Sequence, residues 1–511
     1  MKKTFALMLT ALLCAGLFAV FPASPALAED NVLYVHNWQD YLNEEYVFGK
    51  EVNGTFVESE TGFKAYYESL YPGETVEVVY TNFGTNEIMY NDIRTGKGQY
   101  DLACPSDYMI ERMKNEDMIE TLDLSQLTEY TQNVSPLFSD TFEQIGIADY
   151  AVGYMWGTMG MVYNPETVSA SDMSSWAGLW NALYANKMTI KDSVRDTYFA
   201  GVGMVYRDEL LELRSRNELD PADPDYLDDE AYNAAITEVF NRTDDETLAK
   251  VENALKLQKA LLYGYEVDSG KTDMIAGKID VNFAWSGDAV YTMDYAQYGD
   301  PDEMTEEELE NWEAVLLNYA VPEEGSNLWF DGWVMLKNDG LTEAQRAQKQ
   351  KMAYAFLNYL SLPETAAANM DFIGYTSAIA GDAVFDQIDE WYGVEEGDEG
   401  YTVDLTYFFD GTLSQDRLTN GRAVVTVAEL GRQFSAQYPT EDIIKRCAIM
   451  QDFGDRNQAL LDMWGRVKGS TLPAWAIILI VVVVVAAAAA VLIVMAVKKN
   501  KHKKRRVVSR G

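Results

Sequence analysis

Short apolar segments alternate with helix-like segments in the first third of this 511-residue chain. Apolar runs predict strands over residues 32–38, 75–81 and 100–105, and amphipathic spacing predicts helices over residues 86–95 and 108–118. Parallel strands need long crossover connections, which helices usually supply. The alternation therefore indicates an α/β protein with a largely parallel sheet and helices on both faces.

The rest of the chain continues this pattern. Strands are predicted over residues 154–164, 188–191, 278–285 and 327–336, and helices over residues 248–262 and 344–362. Residues 208–247 are acidic and helix-prone, which is typical of a solvated surface insertion. Without the two apolar ends about 440 residues remain, more than one core usually holds, so two domains are expected.

Aromatic and acidic side chains follow two of the predicted strands. Trp38 ends the first strand and Asp40 and Tyr41 come after it, while Ser106 and Tyr108 follow the third. Ligands of parallel sheets bind beside the carboxyl ends of strands, so these residues are expected at one edge of the sheet. Carboxylates and aromatic faces both attract cations, which suits this edge to an organic cation. A buried first strand with Trp38 and Tyr41 in the core is the alternative.

Both ends of the chain carry targeting signals. Residues 1–28 combine two lysines, an apolar run and a small-residue ending, which is typical of a secretory signal peptide. Residues 474–497 contain no charge and are long enough to span a bilayer as a transmembrane helix. The basic tail, residues 498–511, predicts a single-pass protein of the cell membrane, with a cytoplasmic tail and the preceding region extracellular or periplasmic.

The segment between the signal peptide and the basic tail is strongly acidic. It carries 30 basic and 81 acidic residues, a net charge of −51. Such a field opposes binding to nucleic acid and favours cations. Its single histidine, His36, excludes a histidine-rich metal site, and no metal or cofactor is expected. Two cysteines outside the signal peptide, Cys104 and Cys447, leave a disulfide open.

Nine short runs occur in the order found in one protein family. They are residues 33–41, 85–90, 100–108, 156–164, 175–180, 191–196, 283–289, 329–331 and 373–376. Together they resemble the spermidine/putrescine-binding proteins of bacterial ABC importers, which are extracellular solute-binding proteins. The resemblance implies a type II periplasmic-binding-protein fold, in which two lobes joined by crossing strands close around a linear polyamine in the cleft between them.

The same resemblance implies how the lobes divide the chain. Residues 29–158 and 331–383 are assigned to the first lobe. Residues 159–330 and 384–470 are assigned to the second lobe, with the acidic insertion at about 208–247.

The ligand-binding residues are carried over from the family's motifs, with Asp288 added because it follows Trp285 closely. They are Trp38, Asp40, Tyr41, Ser106, Tyr108, Asp192, Asp196, Trp285, Asp288, Trp329, Asp331 and Tyr375. The chain departs from the family at two places. Ser193 stands where the first of two acids is familiar, with Asp192 one residue earlier. Met450 stands where a glutamine is familiar, with Gln451 beside it.

A polyamine is a chain of methylenes that carries protonated amines, so its site needs apolar walls and acids. The walls are supplied by Trp38, Tyr108, Trp285, Trp329 and Tyr375. Charge-assisted hydrogen bonds are supplied by Asp40, Asp196 and Asp331. Asp331 lies within an apolar strand, where an unpaired acid is costly, so a ligand amine is its expected partner. Structural roles stay open as alternatives: core packing for Trp285 and Trp329, a helix cap for Asp196, and a turn for Asp288.

The leading hypothesis is a membrane-anchored, monomeric polyamine receptor that delivers spermidine or putrescine to an ABC permease, and not an enzyme. Two alternatives belong to other classes. The first is an extracytoplasmic enzyme that uses paired carboxylates. The second is a tethered sensor or binding protein for another cationic or sugar ligand.

Overall fold

The computed structural model describes residues 31–469, apart from residues 53, 300–303, 396, 398 and 429. The predicted signal peptide, transmembrane segment and basic tail all lie outside these residues. Among the helices described, none combines the length and the apolar character that crossing a bilayer requires.

The described strands are β1 (Val32–Trp38), β2 (Gly49–Val52), β3 (Thr55–Glu58), β4 (Glu77–Phe83), β5 (Leu102–Ala103), β6 (Val152–Tyr163), β7 (Met188–Lys191), β8 (Gly264–Glu266), β9 (Val281–Trp285), β10 (Asn318–Ala320), β11 (Ser326–Met335), β12 (Thr376–Ser377), β13 (Tyr401–Asp404), β14 (Val424–Val427) and β15 (Cys447–Ala448).

The described α-helices are α1 (Glu44–Val47), α2 (Phe63–Leu70), α3 (Asn86–Arg94), α4 (Asp107–Asn115), α5 (Thr128–Asn133), α6 (Pro136–Gln144), α7 (Ala170–Met173), α8 (Val194–Val205), α9 (Arg207–Asn217), α10 (Asp229–Phe240), α11 (Asp245–Lys259), α12 (Ser269–Ile275), α13 (Ser286–Tyr298), α14 (Glu306–Glu310), α15 (Glu343–Leu360), α16 (Pro363–Ile373), α17 (Asp382–Tyr392), α18 (Thr406–Phe409), α19 (Gln433–Gln437), α20 (Glu441–Lys445) and α21 (Asn457–Lys468).

One mixed sheet carries the architecture, with the strand order β4-β1-β5-β11-β6-β9-β7-β8. β1 runs parallel to β4 and β5 on one side, and β7 runs parallel to β8 and β9 on the other. The two long central strands run antiparallel to each other and to their outer neighbours. The predicted parallel pairing is therefore confirmed on each side, whereas β6 and β11 join the two sides in the antiparallel sense.

The central strands are buried along their whole length, as their mostly apolar sequences predict. Gly157 in β6 shows how closely they are packed. A Cβ atom there would lie 2.2 Å from the Ser286 hydroxyl and 2.8 Å from the Trp329 ring. Glycine at this position therefore lets α13 and the Trp329 side chain approach the strand.

The last third of the chain contacts both sides of the sheet. α17 packs against α16 and the β13–β14 hairpin, whereas α19 packs against α13 and α21 packs against α11 and α8. The assignment of residues 384–470 to one lobe stays a prediction. Cys104 and Cys447 are buried free thiols in this structure.

The acidic segment at 208–247 contains two helices, α9 and α10, which pack against each other and α8. Leu210, Tyr232 and Ile236 are buried, while most of the acidic side chains face outward. Phe240 stacks on Phe199 of α8 with the two rings 4.0 Å apart. Apolar burial therefore fixes this segment to the body of the protein.

Candidate functional site around a buried carboxylate

Asp331 lies at an irregularity in β11, where the register against β6 shifts between Phe330 and Gly332. Such a shift redirects a side chain that regular pairing would point elsewhere. The Tyr41 hydroxyl donates a 2.8 Å hydrogen bond to one carboxylate oxygen of Asp331, and the Ser106 hydroxyl donates a 2.6 Å bond to the other. Tyr41 and Ser106, which follow the first and third predicted strands, therefore meet at Asp331.

The Asp331 carboxyl is 6% exposed and its hydrogen bonds come from neutral hydroxyls. Burial raises the pKa of Asp331 to about 7, and the negative charge of Asp196 adds to this effect while the two hydroxyls oppose it. Among the described residues, no lysine or arginine forms an ion pair with this carboxylate. The site thus holds an acid whose charge is left unmatched.

Asn86, at the start of α3, orients two of the predicted residues. Its side-chain amide donates to the Ser106 hydroxyl at 3.0 Å and to the Tyr108 hydroxyl at 3.1 Å. The Tyr108 hydroxyl in turn donates to Glu87 at 3.1 Å. Sequence reasoning did not single out Asn86, although it lies within the 85–90 run and directly follows Thr85, the N-cap of α3.

Aromatic rings form one wall beside Asp331. The Tyr375 ring lies 5.5 Å from the Trp329 ring and 5.5 Å from the Tyr41 ring, which it meets edge-on. The Trp329 indole nitrogen donates to the Thr158 carbonyl at 3.2 Å. A Cβ atom on Gly287 would lie 1.6 Å from the Tyr375 ring, so only glycine allows Tyr375 to rest on the first turn of α13.

A second buried acid, Asp196, lies in the first turn of α8 and is 9% exposed. Burial raises the pKa of Asp196, opposed by hydrogen bonds from Ser193 and Trp285 and by the charge of Lys191. The N-cap of α8 is Ser193, whose hydroxyl accepts from the Asp196 amide, so Asp196 is not the capping residue.

Asp288 is held by two lysines. Its carboxylate forms ion pairs with Lys191 at 3.0 Å and Lys271 at 3.2 Å, and it accepts a 2.9 Å hydrogen bond from the Tyr375 hydroxyl. Burial acts to raise the pKa of Asp288, but the two lysine charges outweigh it and lower the pKa. Asp288 lies in the first turn of α13, not in a turn between elements.

Three predicted residues lie away from this cluster or at its margin. Asp40 is exposed, and Asp192 forms an ion pair with Lys468 near the surface. The Trp38 indole nitrogen donates to the Cys104 carbonyl at 2.9 Å. In the part of the chain that the structure describes, neither Asp40 nor Asp192 contacts Asp331; their ligand-binding roles stay predictions.

Arg195 is a buried cation that sequence reasoning missed. Its guanidinium carbon lies 4.2 Å from the Tyr108 ring centre and 3.8 Å from the Phe453 ring centre. It also donates to the Gln451 carbonyl at 2.6 Å. The Gln451 backbone therefore contacts Arg195, while Met450, at the position of the family's glutamine, is buried. Arg195 thus links Tyr108, in α4, to the C-terminal segment.

The described residues contain no group of three or more His, Cys, Asp or Glu side chains arranged to hold a metal ion. Comparison with known proteins decides the family. A family model described as bacterial extracellular solute-binding protein matches residues 64–395. The chain belongs to this family.

Curated relatives of this solute-binding protein are named as polyamine-binding proteins. The spermidine/putrescine-binding periplasmic protein of Escherichia coli K12 is 24% identical over 369 residues, which are 71% of this chain and 82% of the relative. The putrescine-binding periplasmic protein SpuD of Pseudomonas aeruginosa is 24% identical over 478 residues, covering 92% of this chain and 99% of the relative.

Solved structures share the fold. The spermidine/putrescine ABC transporter substrate-binding protein PotD of Streptococcus pneumoniae is 22% identical with a TM-score of 0.51, covering 86% of this chain and 100% of that one. The TpPotD lipoprotein of Treponema pallidum is 17% identical with a TM-score of 0.53, covering 86% of this chain and 100% of that one. This solute-binding protein is therefore a mixed α/β protein that matches two-lobed periplasmic binding proteins.

Proposed function

We propose that this solute-binding protein binds a linear polyamine outside the cytoplasm and delivers it to an ABC permease. The observation that carries the proposal is the Asp331 carboxylate, which is buried, hydrogen-bonded by two neutral hydroxyls and left without a cation. A protonated amine supplies both the missing charge and the hydrogen-bond donors.

The rings beside Asp331 suit the rest of such a ligand. Trp329, Tyr375 and Tyr41 form a continuous aromatic surface against which methylene groups pack and ammonium groups gain attraction. Each close contact between an ammonium and a ring face is worth about 0.5–2 kcal/mol. A few such contacts and one charge-assisted pair are sufficient for micromolar affinity, about −8 kcal/mol.

Asp196 offers a place for a second amine. It is buried, forms no ion pair in the described structure, and is close enough to Asp331 for its charge to raise the pKa of that residue. A ligand with two ammonium groups would pair with both carboxylates and relieve the repulsion that Asp196 exerts on Asp331.

The relatives' names support this ligand class, since the E. coli and P. aeruginosa proteins are named for spermidine and putrescine binding. In this proposal two lobes on either side of β6 and β11 close over the ligand. The apolar run 474–497 anchors the monomer in the membrane, and the few residues between 468 and 474 keep its ligand site near the permease.

One observation favours a second candidate, an enzyme that uses Asp331 as an acid or base. A carboxyl with a pKa of about 7 is matched to proton transfer at neutral pH. Incubation with putrescine or spermidine separates the candidates: product formation supports the enzyme, and recovery of unchanged amine supports the receptor.

The direct test is calorimetric titration of the full-length protein in detergent with putrescine, spermidine, spermine and lysine. Asp331→Ala is expected to weaken binding of the preferred polyamine by about 100-fold or more, because it removes one partner of an enclosed charge pair. Asp208→Asn removes a 99% exposed acid and is the matched control, with unchanged affinity expected. Equal affinities of Asp331→Ala and the wild type would contradict the proposal.

A further inference from the structure

Lys191 is an unusual residue to find beside a site for cations. It ends β7 with its side chain 1% exposed, and lysine is almost never buried so completely unless it is paired. Its ammonium donates to the Val267 carbonyl at 2.7 Å and to Asp288 at 3.0 Å, and it lies 3.2 Å from Glu266. The first two contacts are hydrogen bonds, and the third pairs the ammonium with the Glu266 carboxylate.

The same ammonium lies 4.2 Å from the centre of the Trp285 ring. Carboxylate oxygens and an indole face are the groups that recognise a ligand amine, so Lys191 occupies a complete amine-binding position. The charge of Lys191 also acts to lower the pKa of Asp196, so this lysine lies near the second proposed amine site. This part of the site is filled by the protein's own cation.

The position held by Lys191 is continuous with the site around Asp331. Asp288 accepts a hydrogen bond from the Tyr375 hydroxyl, and the Tyr375 ring contacts the Tyr41 ring. The Tyr41 hydroxyl in turn donates a hydrogen bond to Asp331. Lys271 adds a second positive charge at Asp288. A ligand that extends from Asp331 toward Trp285 therefore meets ammonium groups that repel it.

The acids that remain for a ligand are Asp331 and Asp196, which form no ion pair among the described residues. Two unmatched carboxylates balance two ligand charges. A third ligand charge at the Trp285 end has no free acid, since Asp288 and Glu266 already hold Lys191.

We propose that Lys191 is the residue that determines ligand length: its ammonium takes the place of a third ligand amine, so the protein prefers diamines to triamines. This inference rests on the proposed function, because it concerns which polyamine the same site accepts. It assigns a role to Lys191, which lies directly before Asp192 in the sequence.

The test compares putrescine and spermidine by calorimetry on full-length wild type and Lys191→Met. Methionine has a similar length and no charge, and the change leaves Asp288 and Glu266 able to hold a ligand amine. The wild type is expected to bind putrescine at least tenfold more tightly than spermidine. In Lys191→Met the ratio of the two affinities is expected to shift toward spermidine by tenfold or more.

Two further variants keep the result interpretable. Lys187→Met removes a 46% exposed lysine near the same strand, and the ratio is expected to stay as in the wild type. Lys191→Arg keeps the charge and is expected to keep the diamine preference.

If Lys191→Met does not fold, the wild type still provides a test with a modified ligand. Spermidine acetylated on one terminal amine carries one charge fewer and is expected to bind more tightly than spermidine.

The possible outcomes distinguish failure of this inference from failure of the proposed polyamine-binding function. Tight binding of polyamines with spermidine preferred by the wild type, or an unchanged ratio in Lys191→Met, overturns the inference alone. For an unfolded Lys191→Met, weaker binding of acetylated spermidine than of spermidine overturns it in the same way. Absence of binding by every amine overturns both the inference and the proposed function.

Discussion

The Tyr41 hydroxyl donates a 2.8 Å hydrogen bond to the Asp331 carboxylate across 290 residues of sequence. One residue follows the first strand of the sheet and the other lies in the second central strand. Their contact brings a tyrosine, a serine and an acid into one buried site, and it leaves the acid without a counter-charge. The account of ligand binding depends on this arrangement.

Asp331→Asn is expected to stabilise the ligand-free protein while it abolishes tight binding. Since the folded state raises the pKa of Asp331 to about 7 from 3.8, stability is greatest when this group is protonated and falls as the pH rises toward 7. Above pH 7 the penalty reaches about 4 kcal/mol, which the neutral amide removes. Denaturant unfolding of the wild type and Asp331→Asn at pH 8 and pH 5 measures the difference in their free energies of unfolding, and the variant is expected to gain more stability at pH 8. Equal stability of the two proteins at pH 8 would contradict the raised pKa.

Polyamine binding is expected to release a proton near neutral pH. Because the pKa of Asp331 is about 7 in the free protein, an incoming ammonium must displace the proton at lower pH. Affinity is therefore expected to fall by up to about tenfold per pH unit below 7, while the ligand amines stay charged. Titration at pH 6 in two buffers of different ionisation enthalpy measures the proton directly. Equal binding enthalpies in the two buffers would mean that no proton is released, which would contradict proton release from Asp331.

Arg195→Ala is expected to lower the free energy of unfolding by about 2–3 kcal/mol, because the guanidinium contacts two rings, Tyr108 and Phe453, in a buried setting. Arg422→Ala removes a 66% exposed arginine and is the control, with a change below about 1 kcal/mol. Urea unfolding of both variants gives the comparison. Similar decreases in the free energy of unfolding for Arg195→Ala and Arg422→Ala would show that the contacts of Arg195 with the two rings do not stabilise the protein.

Gly287→Ala is expected to weaken ligand binding because the added methyl group overlaps the Tyr375 ring and displaces it from Trp329. The control is Gly465→Ala, in α21, where a Cβ atom meets nothing within 4 Å. That change is expected to leave affinity unaltered and to raise stability by about 0.5–1 kcal/mol. Calorimetric titration with the polyamine compares the two variants. If Gly287→Ala bound the polyamine as tightly as Gly465→Ala, the predicted effect of displacing Tyr375 would be wrong.

Much of the sheet was accessible from the sequence because apolar runs bounded by polar residues mark strands. Residues 32–38 match β1 at both ends, whereas of the predicted strand 100–105 only Leu102 and Ala103 pair. The apolar spacing of α3 does not by itself identify its buried residues, since Ile88 is 51% exposed beside the buried Met89. Adjacent helical residues point about 100° apart, so one face cannot hold both.

The candidate site was accessible only in part. Tyr41, Ser106 and Asp331 were found because strand ends and an acid in an apolar strand carry a local signal. Lys191 and Arg195 were missed because their burial depends on partners far along the chain, such as Asp288 and Phe453. Spacing rules describe neighbours within one element and contain no information on such long-range pairs.

The most direct test of the central claim is a crystal structure of the protein with putrescine bound. The account predicts one ligand nitrogen within hydrogen-bond distance of the Asp331 carboxylate, with the methylenes against the rings of Trp329 and Tyr375. A ligand bound elsewhere, with Asp331 still bonded to Tyr41 and Ser106 and facing no amine, would contradict it.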